Sequence, residues 1–595
     1  MTLLHNPVIR GFAPDPSMVR VGDWYYVATS SFEWFPTIPL HRSRDLAHWE
    51  YAGHVEGAVP GNSLAGVPDS GGIWAPSLSW DGERFWVVYS IVRSVGTPYF
   101  DTDDYVSTAA FPTATETAGE WTAPRRIASH GFDPALFHDA GRLWLLNLQN
   151  DHRPGGRRFA GIVATELDRE TLAPVGDTHL LLQHERLVEG PKLVRKDGWY
   201  HLVLAEGGTG FEHGVLMARS REITGPYELD SQPLLTSRDD PSLPLQKSGH
   251  GELVQLPDGS WVLSHLTARP LTTPNGPRCP LGRETAIQAV TWDAEGWPRL
   301  RHGGPHPSLE VDVSTHPRPE GGSAAPAQPH PAIDATAPTR PRPPAQPGTP
   351  TQPGPHTQPS TTAQPHPAFQ PAVPPHPRSS EQPALTNDPL GWPWSTLRAA
   401  PDPSWADTAA RPGWIRLCGR HGPESWWAHS LLAQRITEHR AEAQVTVEAR
   451  PTTFTQAAGL VLWYNTESYL ALDLTWAEPE GEEQRGQQWQ GGGGRTVLSL
   501  VERDEGSTRQ VAVVDVPTES AFTIGVTVED GVARFWSLGA HRARTPVGPE
   551  LDFTRLSDDH GSKLRFTGAM AGIHAVDLVG AAFTADFTGF RLRCG

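Results

Sequence analysis

A fivefold repeat constrains this chain more than any other feature. DPSMVRVGDWYYVAT from Asp15, APSLSWDGERFWVVY from Ala75, DPALFHDAGRLWLLN from Asp133, GPKLVRKDGWYHLVL from Gly190 and HGELVQLPDGSWVLSHL from His250 share one layout. Each has a small opening motif, an apolar pair, a turn carrying Gly or Asp, and an aromatic-rich alternating run. Pro16, Pro76, Pro134 and Pro191 occupy the same place in four copies, and Gly251 occupies it in the fifth. The copies start 60, 58, 57 and 60 residues apart. Short alternating runs joined by turn residues predict antiparallel hairpins. One sheet per repeat at this period predicts the blades of a five-bladed β-propeller. A sandwich with coincidental internal similarity is the plainer alternative, and it does not account for five copies in phase.

The repeat ends well before the chain does. Residues 316–385 hold 21 of the chain's 59 prolines, interleaved with Gln, Thr, Ala and His, with Phe369 the lone aromatic. Such a stretch cannot bury enough apolar surface to offset its ordering entropy, so it reads as a disordered linker. It divides the 595 residues into a propeller over 1–315 and a second domain over 386–595. The second domain again reads as β: RAEAQVTVEARP, AAGLVLWYNTESYLALDLTW, TVLSLVERD, RQVAVVDVP, FTIGVTVEDGVARFWSLG and TADFTGFRLRC alternate apolar with polar and end at turns. These strands predict a two-sheet, jelly-roll or lectin-like β-sandwich, with Gly491–Gly494 in a hairpin loop. The chain is therefore expected to be all-β.

In a propeller the first strand of each blade lines the central channel, so equivalent repeat positions converge there. The position before the motif proline holds Asp15, Ala75, Asp133, Gly190 and His250, and one residue earlier stand Trp74 and Glu189. Three carboxylates, a histidine and a tryptophan are thus gathered at one opening from across 235 residues of sequence. Taken singly, each has a structural explanation. Asp before Pro starts turns, a Glu before Gly-Pro serves as a loop charge, Trp fills cores, and a buried His is commonly just hydrogen-bonded. Their shared phase favours function instead, because crowded like charges cost free energy and push at least one pKa upward. Paired carboxylates with an aromatic platform suit glycoside hydrolysis, in which one stays ionised and another protonates the leaving oxygen.

The blocks GFAPDPSMVRVGDWYYVATSSFEWFP, GGIWAPSLSW, GFDPALFHDAGR, EGPKLVRKDGWYHLVLAEGGTGFEHGVLMARS, SGHGELVQ and LGRETAIQ resemble successive blocks of glycoside hydrolase family 43, in order. RPGWIRLCGR, AAGLVLWYNTESY and FTGAMAGIHAVDLVG extend the resemblance into the sandwich carried by the family's β-xylosidases. The resemblance implies an inverting mechanism, with Asp15 as general base, Glu189 as general acid and Asp133 as the carboxylate that modulates the acid. Inversion requires base and acid about 6.5–9.5 Å apart, to admit water. It further implies that Arg283 binds sugar hydroxyls, that Trp74, Phe32 and His213 shape the pocket, and that an aromatic of the sandwich, here Phe566, closes it. At His250 it implies either a water or a structural divalent ion such as calcium, with no cofactor required. Many relatives carry a Trp just before the DHR sequence where this chain has Asn150, which implies a different or weaker leaving-group preference. The proline-rich stretch is also longer than such relatives need.

The remaining composition restricts partners. A net charge of −18 argues against nucleic acid. Cys279, Cys418 and Cys594 form no disulfide framework and no zinc spacing. No apolar run reaches the roughly 20 residues of a membrane span. The opening residues lack the pattern of a signal peptide, so a cytoplasmic location is expected. The expected activity is an exo-β-1,4-xylosidase acting on xylo-oligosaccharides or other pentose glycosides, in a chain whose relatives often form homo-oligomers. The rivals are an α-L-arabinofuranosidase or dual enzyme, and a non-catalytic carbohydrate-binding propeller.

Overall fold

A computed structural model describes residues 2–94, 99–110, 120–313, 389–478, 494–516, 521–539, 543–563, 565–580 and 582–595. The proline-rich stretch and Gly491–Gly493 lie outside the described residues. Five four-stranded antiparallel sheets follow one another along the first 300 residues. Their innermost strands are Ser17–Val21, Gly72–Trp80, Gly131–Asp139, Val188–Lys196 and Gln246–Gln255. Blade 4 carries a further short strand, Leu235–Thr236, outside the four. These sheets are the blades the repeat predicts, each opening on the motif strand.

The turn chemistry explains why each inner strand folds back at once. Between Lys196 and Trp199 the Asp197–Gly198 pair has φ of 50° and 76°, the two positive values of a hairpin turn whose twist matches its strands. Bonds between blades close the ring. Ser17 Oγ of blade 1 accepts from the Leu78 N–H of blade 2 at 2.9 Å, and donates to Glu252 Oε2 of blade 5 at 2.7 Å. The ends of the propeller are tied by pairing of Thr2–His5 with Glu310–Val313.

The second domain is a sandwich of an eight-stranded and a six-stranded sheet. Its interior is filled by Val445, Val447, Leu460, Leu462, Leu472, Leu500, Ile524 and Phe587. The six-stranded sheet has a second apolar face. Leu431, Val461, Trp463 and Met570 pack with Phe12, Phe32, Trp34 and Trp74 of the propeller in one continuous cluster. This corrects the expected alternation in AAGLVLWYNTESYLALDLTW. Successive side chains leave a strand on opposite faces, and here both faces are buried, so Leu460 and Leu462 face one core while Val461 and Trp463 face the other. The strand Thr396–Leu397 also pairs with Trp34–Phe35 of the propeller. Among the described residues the only helical segments are two 3-10 turns, Pro60–Asn62 and Phe553–Arg555.

Candidate active site

The five repeat positions share a backbone feature that their residue types conceal. Asp15, Ala75, Asp133, Gly190 and His250 all have positive φ, at 54°, 33°, 53°, 56° and 48°. In blades 2 to 5 the strand register slips by one residue across this point, between Trp74 and Ser77, Phe132 and Ala135, Glu189 and Lys192, and Gly249 and Glu252. Each of these four inner strands thus carries a β-bulge, a device that re-aims side chains out of the regular pleat. A left-handed conformation costs a residue other than glycine about 1–2 kcal/mol, so four such residues here mark a position held by its surroundings.

Asp15, Asp133, Glu189 and His250 are all buried around this opening. Asp15 Oδ2 accepts from Ser30 Oγ at 2.6 Å, and its Oδ1 lies 3.3 Å from an Arg283 guanidinium nitrogen and 3.6 Å from His250 Nδ1. Asp133 Oδ2 accepts the Gly190 N–H at 3.0 Å. Gly190 also makes room for the histidine, since a Cβ there would lie 2.7 Å from His250 Nε2.

This environment divides the carboxylates. Burial alone would raise the Asp15 pKa, but Arg283, His250 and the Ser30 hydrogen bond outweigh it and hold Asp15 below the usual carboxylate range. Glu189 is pushed up to about 7 by burial and by the Asp15 charge, against the opposing pull of Arg283. Burial, Glu189 and Asp15 raise Asp133 well above its ordinary value, although the Gly190 N–H and Lys192 oppose this. At neutral pH Asp15 is therefore ionised while the coupled Asp133–Glu189 pair retains a proton.

The walls are aromatic. The Phe566 ring, from the sandwich, lies 5.3 Å from Trp74 at 86° and 5.7 Å from Phe32. Arg283 passes beside them, donating to the Phe566 carbonyl at 2.9 Å. His213 is fully buried, and its Nδ1–H donates to the Glu206 carbonyl at 3.1 Å. Burial, with His250 and Arg283 nearby, keeps it neutral, its pKa pushed down to about 3. Gly249 admits the His213 ring, because a Cβ there would fall 2.0 Å from it. Among the described residues His213 Nε2 and Arg283 Nε are buried without hydrogen-bond partners. Every site residue named from the sequence thus lies at or beside this opening. Trp74 and Phe132 continue into Phe100 and Phe159. The Asn150 N–H donates to the His130 carbonyl at 2.9 Å.

Two further layers went unread in the sequence. Two residues beyond each repeat position stand Ser17, Ser77, Ala135, Lys192 and Glu252, and three of these, Ser17, Lys192 and Glu252, meet one another. Lys192 Nζ lies 3.4 Å from Ser17 Oγ and 4.0 Å from Glu252 Oε2. Carrying the repeat phase on by two residues would have found this cluster. The second layer is Ser70, which bonds both Trp74 and Phe566; no pattern in the sequence marks it.

An ion at His250, as the resemblance implies, needs donors that the surrounding residues must supply. Burial lowers the His250 pKa to about 4 and Lys192 and Arg283 add to this, against the pull of Asp15. Among the described residues only Cys279, Asp558 and Asp559 come close enough together to share an ion as a trio, and His250 belongs to no such group. Lys247 Nζ already bridges that trio's carboxylates, at 3.0 and 2.6 Å. Around His250, with the Asp15 carboxylate at 3.6 Å and Lys192 and Arg283 as the opposing charges, the described residues thus supply no protein-built trio of ligands for a dication.

A model of glycosyl hydrolases family 43 matches residues 4–298. A model of the β-xylosidase C-terminal concanavalin A-like domain matches residues 386–593. A xylosidase/arabinosidase 43B of Humicola insolens is 35% identical over 602 residues, covering 100% of this chain and 98% of the relative. A β-xylosidase of Bacillus subtilis strain 168 is 34% identical, covering 99% of both. The crystal structure of a xylan β-1,4-xylosidase from Bacillus halodurans C-125 superposes with a TM-score of 0.81 at 36% identity, covering 99% of this chain and 100% of that one.

Proposed function

The chain belongs to glycosyl hydrolase family 43, and we propose that within it this protein is an inverting exo-β-1,4-xylosidase that removes xylose from the non-reducing end of short xylo-oligosaccharides. The observation that carries this reading is that three carboxylates are buried together at one aromatic-walled opening, with Arg283 and Ser30 set against Asp15, an arrangement that favours an ionised Asp15 and a proton on the Asp133–Glu189 pair. In the proposed step Asp15 takes a proton from water, whose oxygen bonds to the anomeric carbon as the glycosidic C–O bond breaks. Glu189 gives its proton to the departing oxygen. Asp133 sustains the acid by keeping negative charge and a shared proton beside it. Arg283 holds Asp15 ionised and, with His213, meets the sugar hydroxyls; their unpartnered buried nitrogens support that role. Phe32, Trp74 and Phe566 pack on the sugar faces. His250 holds a water beneath the site, and no metal is required.

The test is hydrolysis of xylobiose followed by proton NMR, with Glu189→Gln alongside and a chelated sample in parallel. Early α-xylose in excess of its equilibrium share, since the reducing-end xylose leaves already equilibrated, is expected, with a loss of about 10³-fold in turnover in the variant and unchanged turnover after chelation. An early excess of β-xylose over its equilibrium share would overturn the mechanism, and calcium-restorable loss on chelation would overturn the metal-free reading. The name of the Humicola relative couples xylosidase with arabinosidase. A second reading therefore has the same pocket accept arabinofuranosides, which paired nitrophenyl xyloside and arabinofuranoside assays separate.

A further inference from the structure

We propose that Leu64–Ser70 is a strap through which the sandwich sets the walls of the sugar pocket, with Asp69 and Ser70 of the propeller and Arg398 and Thr466 of the sandwich as positioning residues. This rests on the reading of the aromatic opening as the sugar pocket. The inner end of the strap is Ser70. Its Oγ accepts the Phe566 N–H at 3.0 Å, and its carbonyl accepts the Trp74 indole N–H at 2.9 Å. Its own N–H donates to Glu33 Oε2 at 3.2 Å. One serine thus ties together two perpendicular rings that pack edge to face in the pocket wall, one from each domain. Ser70 has φ of 62°, a conformation that persists only where its surroundings impose it.

Those surroundings come from the sandwich side. Arg398, buried completely, donates through Nη2 to Asp69 Oδ1 at 2.8 Å and through Nε to the Val67 carbonyl at 2.7 Å. The other Asp69 oxygen accepts the Thr466 N–H at 3.1 Å and also the Thr466 hydroxyl. The Leu64 N–H donates to the Arg398 carbonyl at 2.8 Å, and the Gly66 N–H to the Trp426 carbonyl at 2.7 Å. The Arg398 N–H donates to the Glu33 carbonyl, also at 2.8 Å, so the residue that holds Ser70 is itself held from the sandwich. The strap is bonded at nearly every residue, which transmits position well and leaves little slack. Of these four, only Ser70 bonds to the walls, and the other three hold the strap behind it, so their effect falls on how well the pocket fits.

The experiment compares the full-length wild type with Ser70→Ala, Thr466→Val and Thr466→Ser. KM and kcat for xylobiose, and the inhibition constant of free xylose, are measured well below each variant's melting temperature. Ser70→Ala and Thr466→Val are each expected to raise KM and weaken xylose inhibition about fivefold, the worth of one hydrogen bond, with kcat changed less than twofold. Thr466→Ser keeps the hydroxyl and is expected to retain wild-type values. Folded Ser70→Ala and Thr466→Val variants with unchanged KM and inhibition constant would overturn the strap, as would Thr466→Ser behaving like Thr466→Val. A wild type that turns over no pentoside and binds no xylose would instead overturn the reading of the pocket.

Discussion

Ser30 shows how much a single side chain decides in this site. Its hydroxyl donates to Asp15 and accepts the Ala75 N–H at 2.7 Å, so it binds the proposed base to the neighbouring blade. The Asp15 bond is one of the influences that lower the carboxyl pKa, after Arg283 and His250 and against burial. Ser30→Ala removes it, so the Asp15 pKa rises. The base must be ionised to act, and the acidic limb of kcat/KM is therefore expected to move to higher pH by about one unit. The basic limb follows the Asp133–Glu189 proton, with Glu189 near 7, and is expected to stay in place. A pH–rate profile measures both limbs, and a basic limb that moves instead would reverse the assignment. The carboxylates themselves were legible because they share a repeat phase. Their division into acid and base was not, because it depends on Arg283, Ser30 and His250, brought together only by folding.

At the scale of the element, the inner strand with its bulge is what turns a repeat into a site. The sequence marked these positions through their prolines, whereas the left-handed backbone was visible in advance only at Gly190. There glycine serves three ends: a φ of 56°, an N–H given to Asp133, and space for His250. Gly190→Ala places a methyl 2.7 Å from His250 Nε2. Since the added Cβ also disfavours the conformation, a loss of about 1–2 kcal/mol in stability is expected, read as a lower Tm. A drop of at least tenfold in kcat/KM should accompany it as His250 and the Asp133 bond shift. Wild-type values of both would mean that the bulge adapts freely. The cluster of Ser17, Lys192 and Glu252 was open to the same reasoning, because each stands two residues beyond its repeat position.

The whole molecule couples two domains across a proline-rich stretch. The six-stranded sheet of the sandwich covers Phe12, Phe32, Trp34 and Trp74 of the propeller, and Arg283 spends a hydrogen bond on Phe566 of the sandwich. A chain ending at residue 315 would lose Phe566 and expose that apolar face. It is expected to aggregate, or to keep less than a hundredth of the wild-type kcat/KM, as size-exclusion chromatography and kinetics would measure. A soluble, fully active truncation would show that the sandwich is dispensable. By itself the sequence determined the five blades, the second β domain and the identities of the carboxylates, because turn residues, period-2 alternation and repeat phase are local properties of the chain. Only the tertiary structure decided which carboxylate is ionised, which sheet face docks on the propeller, and that Ser70 joins Trp74 to Phe566. Those outcomes depend on burial and on distances between residues far apart in sequence, to which no local pattern is tied.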